Sequence, residues 1–235
     1  MTLFVRINKY LSQAGICSKR QADRWILAGL VNVNHQPATL GQRVSEQDHI
    51  VVNGQRVSQK PELVYLLYHK PVGVVCTNDL NVPANLIEAL HYPLRLFAVG
   101  RLDKASEGLL LLTNDGAIFN RVLKSQNGHQ KEYLVTVNKS LTPSFLNNLA
   151  RGVPILNTMT LPCVVTAVSD VCFKIVLTQG LNLQIRRMCQ TLGYRVHRLK
   201  RVRIMNLHLS GIESGDYRPL SCQEHAQLHA LLKDK

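Results

Sequence analysis

The stretch GRLDKASEGLLLLTNDG, residues 100–116, directly follows the apolar run Leu96-Phe97-Ala98-Val99. Glycines bound its polar part, and a second apolar run follows, so the pattern predicts a strand, a tight loop and another strand. Asp103 lies on this loop between Arg101 and Lys104. Nearby cations favour the ionised form of an acid, so Asp103 is predicted to be a carboxylate at neutral pH. It suits a nucleophile or a base acting on a polyanion, although an ordinary turn aspartate explains the local pattern equally well.

Composition indicates a basic protein that binds phosphate groups. The chain has 235 residues, 46% of them hydrophobic, and 28 Lys+Arg against 15 Asp+Glu give a net charge of +13. Such an excess attracts nucleic acid backbones. We find no apolar run of membrane-spanning length and no signal-peptide layout, so no membrane partner is expected. Six scattered cysteines without a Cys-x-x-Cys pair predict reduced thiols in the cytoplasm, not disulfides or zinc.

Residues 1–57 are predicted to form a separate small α+β module. Helical spacing runs from Ile7 to Ala14, and Ser18 with Gln21 three residues later is a capping pattern that opens a second helix. Asn53-Gly54 between β-branched residues predicts a hairpin. The polar residues 58–63 are predicted to be a linker, and residues 64–235 a second, strand-rich domain.

The small module resembles the S4 RNA-binding domain. The matching segments are RINKYL (6–11), GICSKRQAD (15–23) and GLVNVN (29–34). A charged, solvated helix face is the alternative interpretation of its cations. The resemblance favours contact with structured RNA, and the module's predicted RNA-binding residues are Arg6, Lys9, Lys19, Arg20 and Arg24.

Two further segments of the second domain contain candidate site residues. Tyr133 lies on a predicted strand, where it is either a half-buried core residue or a ring that stacks on an RNA base. The segment LTQGLNLQIRRM, residues 177–188, leads into a helix in which Arg186 can reach a carboxylate in a cleft and Arg187 points outward. No acid occurs from Arg186 to Arg203. This basic run predicts a strand that presents a basic face to RNA through Arg198, Lys200 and Arg201.

Together these segments resemble the pseudouridine synthases, in the branch that includes RsuA, RluB, RluE and RluF. The resemblance rests on GRLD (100–103), GLLLLTNDG (108–116), KEY (131–133) and QIRRM (184–188). The segments GVPIL (152–156), QGLN (179–182) and RIMN (203–206) are most similar to the RluF type. That type is associated with a uridine in 23S ribosomal RNA and with the anticodon loop of tyrosine tRNA.

The resemblance implies an α+β protein whose catalytic domain has a central mixed, mostly antiparallel sheet flanked by helices. It implies isomerisation of uridine to pseudouridine without a cofactor or a metal. We expect the protein to be a monomer, although the sequence itself carries no signal of its oligomeric state. Asp103 would attack the sugar or remove its adjacent proton, and both routes stay open. Arg186 would pair with Asp103, and Tyr133 would stack on the flipped base. The implied substrate-binding residues are Arg101 and Lys104 at phosphates, Leu177 at the base, and Arg187.

Other functions remain open on the sequence. A non-catalytic S4-type RNA-binding protein in ribosome assembly would share the basic charge, but it would not explain why Asp103, Tyr133 and Arg186 occur together. An S4-linked methyltransferase would need a glycine-rich nucleoside loop after an early strand, which we do not find. A glycosidase would normally use two carboxylates, and Asp115 has no evident pairing with Asp103.

Overall fold

A computed structural model describes residues 4–57, 61–123 and 128–233 of the chain. These residues form two compact units. The first contains the described residues up to Val64, with 93–95 and 114–116; the second contains 65–92, 96–113 and the described residues from 117 onward. The predicted domain boundaries remain a prediction, and residues 58–60 of the predicted linker lie outside the described residues.

The first unit contains two short helices and small antiparallel sheets around a hydrophobic core. The Ser18 hydroxyl accepts the Gln21 N–H at 3.1 Å, as the capping pattern predicts. Asn53 and Gly54 have φ values of +53° and +77°, the backbone that a two-residue hairpin turn requires. Both predictions are confirmed. The elements are β1 (Val5–Arg6), α1 (Ile7–Gln13), α2 (Lys19–Leu27), β2 (Val31–Val33), β3 (Gln36–Pro37), β4 (Arg43–Val44), β5 (Ile50–Val52) and β6 (Gln55–Arg56).

A central sheet with helices on its faces forms the second unit. Its strands are β7 (Tyr65–Lys70), β8 (Phe97–Val99), β9 (Glu107–Thr113), β10 (Lys131–Val137), β13 (Val164–Ser169), β14 (Cys172–Leu177), β15 (Val196–Ile204), β16 (Leu207–His208) and β17 (Tyr217–Pro219). A separate hairpin contains β11 (Pro154–Ile155) and β12 (Thr158–Met159). The helices are α3 (Leu86–Leu90), α4 (Ile118–Leu123), α5 (Pro143–Arg151), α6 (Gln184–Thr191) and α7 (Cys222–Lys233).

The main path of the sheet runs β13-β14-β10-β15-β9-β7-β17, with β16 paired to β15 and β8 paired to β9. Strands β15 and β9 are parallel, whereas the other pairs in this sheet are antiparallel. The predicted mixed, mostly antiparallel sheet is therefore confirmed.

Strand β9 lies deep in the sheet because its sequence is apolar on both faces. The four consecutive leucines at 109–112 are each 0% exposed. A strand with such a continuous apolar run is typically covered on both sides. Leu109 and Leu111 belong to a cluster that includes residues of α4 and α7, while a second cluster joins β10, β14 and β15 to α5 and α6. The loop before β9 is therefore attached to the best-buried strand of the unit.

Helix α7 begins at a capping box that an arginine reinforces. The Ser221 hydroxyl accepts the Glu224 N–H at 3.2 Å, and the Glu224 carboxylate accepts the Ser221 N–H at 2.8 Å. Both carboxylate oxygens also accept bonds from the Arg218 guanidinium at 2.7 Å. The Arg218 hydrogen bonds, aided by Ser221, lower the pKa of Glu224 to about 2.

Glu224→Gln is expected to reduce the free energy of unfolding at pH 7, because it removes the negative charge that strengthens the two bonds from Arg218. The loss should be only about 1–2 kcal/mol, since solvent screens the half-exposed Arg218. A lowered pKa stabilises the fold above the unfolded value of 4.5, and this contribution is lost as the pH falls toward 2. Urea unfolding at pH 7, 5, 4 and 3 should show the two proteins converging. A constant difference, or an equal loss in the exposed control Glu213→Gln, would contradict this assignment.

None of the helices in the described ranges combines the length and apolar character that a membrane crossing requires.

Candidate active site

Residues 100–106 form a tethered loop between β8 and β9, and half-buried Asp103 lies on it. The Ser106 N–H donates to the Asp103 carbonyl at 3.0 Å and closes the turn. From the segment after β7, the Gly73 N–H donates to the Lys104 carbonyl at 2.8 Å. The Leu102 N–H donates to the Cys76 sulfur at 3.5 Å. Several contacts from outside the loop therefore hold the backbone around Asp103.

Arg186 reaches this loop from the first turn of α6. Its Nη2 donates to the Ala105 carbonyl at 2.9 Å and to the Ser106 hydroxyl at 3.3 Å, and its Nη1 donates to the Val196 carbonyl at 3.3 Å. The sequence predicts that Arg186 pairs with the Asp103 carboxylate. In the structure Arg186 binds the same loop, but through the Ala105 carbonyl and the Ser106 hydroxyl. Across the described residues, no ion pair joins Arg186 to Asp103. Its buried Nε has no hydrogen-bond partner among them.

The registers of four strands align Tyr133 with two cations. Tyr133 on β10 lies opposite Arg201 on β15, Arg201 lies opposite Gly108 on β9, and Gly108 lies opposite Lys70 on β7. Directly opposed residues project from the same face of a sheet. Tyr133, Arg201 and Lys70 therefore share a face, and half-buried Tyr133 packs against the neighbouring hydrophobic core.

Three buried cations, Lys70, Lys131 and Arg201, lie at 0%, 9% and 2% exposure. The Lys70 ammonium donates to the Pro71 and Val74 carbonyls, each at 2.8 Å. Burial lowers the pKa of Lys70, as does the charge of Arg201, whereas Cys76, Asp103 and Glu107 raise it. Burial and the charge of Arg201 also lower the pKa of Lys131.

Lys70 was not among the residues identified from sequence. The available signal was a lysine placed between an apolar strand and Pro71. A cation in that position is either at a strand end in water or buried with carbonyl partners. Only the structure shows that Lys70 is buried and that the charge of Asp103 is among those that raise its pKa against the effect of burial.

The prediction that Arg201 contacts RNA is wrong. Its guanidinium points into the protein, where Nε donates to the Leu109 carbonyl at 2.7 Å and Nη2 to the Gly100 carbonyl at 3.1 Å. The basic run does form strand β15, but its two faces have different surroundings and register shifts interrupt its pairing with β10. Arg201 therefore faces the interior, while Arg198 is exposed and Lys200 half-buried.

Glu107 was also missed from sequence. At the start of β9 it forms a short hydrogen-bonded ion pair with Arg198, and this contact raises the pKa of Arg198. Its side chain is 12% exposed, against 63% for Arg198. Arg198 therefore still has surface that RNA can reach, and its RNA contact remains a prediction.

The other predicted residues differ in accessibility. Arg101 and Lys104 are exposed beside Asp103. Arg187 donates from Nε and Nη2 to the backbone and side-chain oxygens of Asn182 at 3.1 and 3.2 Å. Leu177 is 4% exposed and belongs to the core against which Tyr133 packs. The S4-like unit presents as exposed residues all its predicted RNA-binding cations, namely Arg6, Lys9, Lys19, Arg20 and Arg24.

The arrangement can support chemistry that needs a fixed carboxylate near positive charge. Asp103 is partly accessible on a loop held by backbone bonds, while Lys70 and Arg201 are buried and hydrogen-bonded to carbonyls. Such pre-organised charges act strongly because little reorganisation is needed during reaction. A carboxylate in this setting can act as nucleophile or base toward an anionic substrate.

Comparison with family models gives two matches. Residues 5–50 match the S4 domain, and residues 64–191 match the RNA pseudouridylate synthase model. The second match includes Asp103, Tyr133 and Arg186.

Relatives cover nearly the whole chain. It is 45% identical over 232 residues to the dual-specificity RNA pseudouridine synthase RluF of Escherichia coli (strain K12), covering 98% of this chain and 80% of that protein. It is 33% identical to ribosomal large subunit pseudouridine synthase B of Bacillus subtilis (strain 168), covering 96% of each. A crystal structure of a pseudouridylate synthase superposes with a TM-score of 0.71 at 28% identity, covering 95% of this chain and 99% of that one.

Proposed function

The chain belongs to the RNA pseudouridine synthase family, and we propose that its substrates are a uridine in 23S ribosomal RNA and one in the anticodon loop of tyrosine tRNA. The observation that carries the proposal is the 45% identity, over 98% of the chain, to a relative named as dual-specificity. The segments that resemble the RluF type support the assignment of these two RNAs as substrates.

The protein is an isomerase that acts on RNA, because its relatives over nearly its full length are named RNA pseudouridine synthases. A non-catalytic S4-type protein is not favoured. That alternative would leave the catalytic-domain match over residues 64–191 without a role.

Asp103 is proposed as the group that starts the reaction. Cleavage of the bond between the uracil nitrogen and the sugar, rotation of the base, and formation of a carbon–carbon bond conserve all atoms. The new bond requires loss of a proton from the base carbon and gain of one at the freed nitrogen. An anionic carboxylate can attack the sugar or remove its neighbouring proton, so Asp103 serves either route.

Arg186 is proposed to align Asp103 through the loop backbone. Its bonds to Ala105 and Ser106 support this role, because both residues follow Asp103 closely in the chain. Its buried Nε, without a partner in the described part of the chain, is a donor suited to a carboxylate or a substrate oxygen.

Tyr133 is proposed to stack on the flipped uracil and to assist proton transfer at the new carbon centre. Its half-buried position against the core supports a ring held at a fixed angle. Leu177 is proposed to line the base pocket, and Arg101, Lys104 and Arg187 to contact nearby phosphates. The exposed cations of the S4-like unit, with Arg198 and Lys200, are proposed to bind the RNA backbone. We further propose that the enzyme acts as a monomer in the cytoplasm.

Purified protein is expected to release tritium from transcripts of 23S rRNA and tyrosine tRNA labelled at carbon 5 of uridine, because that proton leaves when the new bond forms. Chemical derivatisation and mass analysis should then locate one pseudouridine in each RNA. A transcript with the target uridine replaced by cytidine is the control. Conversion at other uridines only, or in neither RNA, would contradict the proposed targets.

A further inference from the structure

We propose that Arg201 is a positioning residue for the reaction, holding both ends of the loop that presents Asp103. The proposal rests on the proposed role of Asp103 and assigns a function to a cation that is buried and bonded within the protein.

Arg201 bonds to the protein on both sides of the loop. Gly100 is the first residue after β8, and Leu109 lies early in β9; the two strands pair with Val99 opposite Leu111. The Arg201 guanidinium donates to the carbonyls of Gly100 and Leu109 at 3.1 and 2.7 Å. A single buried side chain therefore joins the two strands at the base of the loop.

The backbone of Arg201 is also unusually close to β9. A Cβ atom added at Gly108 would lie 2.2 Å from the Arg201 carbonyl oxygen. The absence of a side chain at Gly108 lets the parallel strands β9 and β15 approach, which brings the Arg201 guanidinium within reach of the loop. Gly108 and Arg201 therefore act together: Gly108 permits the close approach of the strands, and Arg201 makes the bonds that this approach allows.

Burying the charge of Arg201 costs free energy of folding, which favours a functional reason for an arginine at this position. Arg201 is 2% exposed, and no ion pair with a carboxylate is present in the described parts of the chain. A buried cation without a counter-ion is expensive, and apolar replacements of buried charges are often tolerated. Purely structural bracing would not require a full charge beside the buried Lys70 and Lys131.

The test compares Arg201→Lys and Arg201→Met with the wild-type enzyme, using an RNA transcript that the wild type converts. Single-turnover rates at saturating enzyme, RNA dissociation constants and thermal unfolding are measured together. We expect folded variants whose rate falls about 100-fold, with less loss for lysine, because misplacing a reacting group by about 1 Å has effects of this size.

RNA binding separates positioning from direct contact. The Arg201→Met variant should keep the wild-type dissociation constant and its salt dependence, because Arg201 does not reach the phosphates. Loss of a phosphate contact would instead weaken binding and lower the salt slope by about 1. That result would overturn the proposal.

Arg203→Gln is the matched control on the same strand. Arg203 bonds to Glu132 at 3.2 Å and to the Met205 carbonyl at 2.9 Å, and neither group belongs to the loop. This variant should lose stability but keep its single-turnover rate. A wild-type rate in a folded Arg201 variant, or an equal rate loss in Arg203→Gln, would contradict positioning by Arg201.

Arg201→Gln gives a second route to the same question, should the Lys and Met variants fail to fold. Its amide is shorter than the guanidinium and cannot span the Gly100 and Leu109 carbonyls together, so a loss of at least about tenfold in rate is expected. An unchanged rate would then overturn the proposal. Failure of the role of Asp103 is distinguishable, because conversion would persist in Asp103→Asn.

Discussion

Asp103→Asn is expected to lower the rate of pseudouridine formation by about 10⁴-fold or more, because the amide can neither attack the sugar nor remove its proton. The variant keeps the size of the side chain, so the loop bonds of Leu102, Lys104 and Ser106 should survive. Removal of one negative charge does not weaken attraction to a polyanion, so RNA affinity should be retained. Tritium release and filter binding on the same transcript measure the two properties.

Asp170→Asn is the matched control for this change. Asp170 is exposed and lies between β13 and β14, in the same unit but in another turn. Its variant should convert RNA at the wild-type rate. A rate for Asp103→Asn within about tenfold of the control would exclude the nucleophile and base roles together.

Gly108→Ala is expected to reduce the free energy of unfolding by about 4 kcal/mol or more, or to prevent folding. Gly108 has φ +111°, which residues with a side chain rarely adopt, and the added methyl group would meet the Arg201 backbone at 2.2 Å. Because that neighbour is backbone within the sheet, the strands β9 and β15 must separate. Urea unfolding followed by circular dichroism measures the loss.

Gly116→Ala provides the comparison within the same motif. An added Cβ there meets nothing within 4 Å, so a change within about 0.5 kcal/mol is expected. Similar stabilities for the two variants would show that the close approach of β9 and β15 is not needed for folding. A stable Gly108→Ala protein with low activity would instead confine the effect to the loop.

Local signals in the sequence predicted much of the fold. The Ser18–Gln21 cap, the Asn53-Gly54 turn and the break at Gly100 each depend on neighbouring residues, and each occurs in the structure. Asp103 was recognisable because its loop is bounded by glycine and apolar runs. Tyr133 and Arg186 required the family resemblance, since a strand tyrosine and a helix arginine have ordinary structural explanations.

Local signals could not predict which distant strands pair with each other or how their residues align. Sequence alone established an acidic residue on a tight loop, a basic chain and an S4-like module, because those properties depend on nearby residues and composition. Only the tertiary structure showed that Arg201 faces inward, that Lys70 shares its face, and that Arg186 binds the loop carbonyl of Ala105. These facts depend on which strands become neighbours and on their alignment, and residues far apart in the chain settle that through packing.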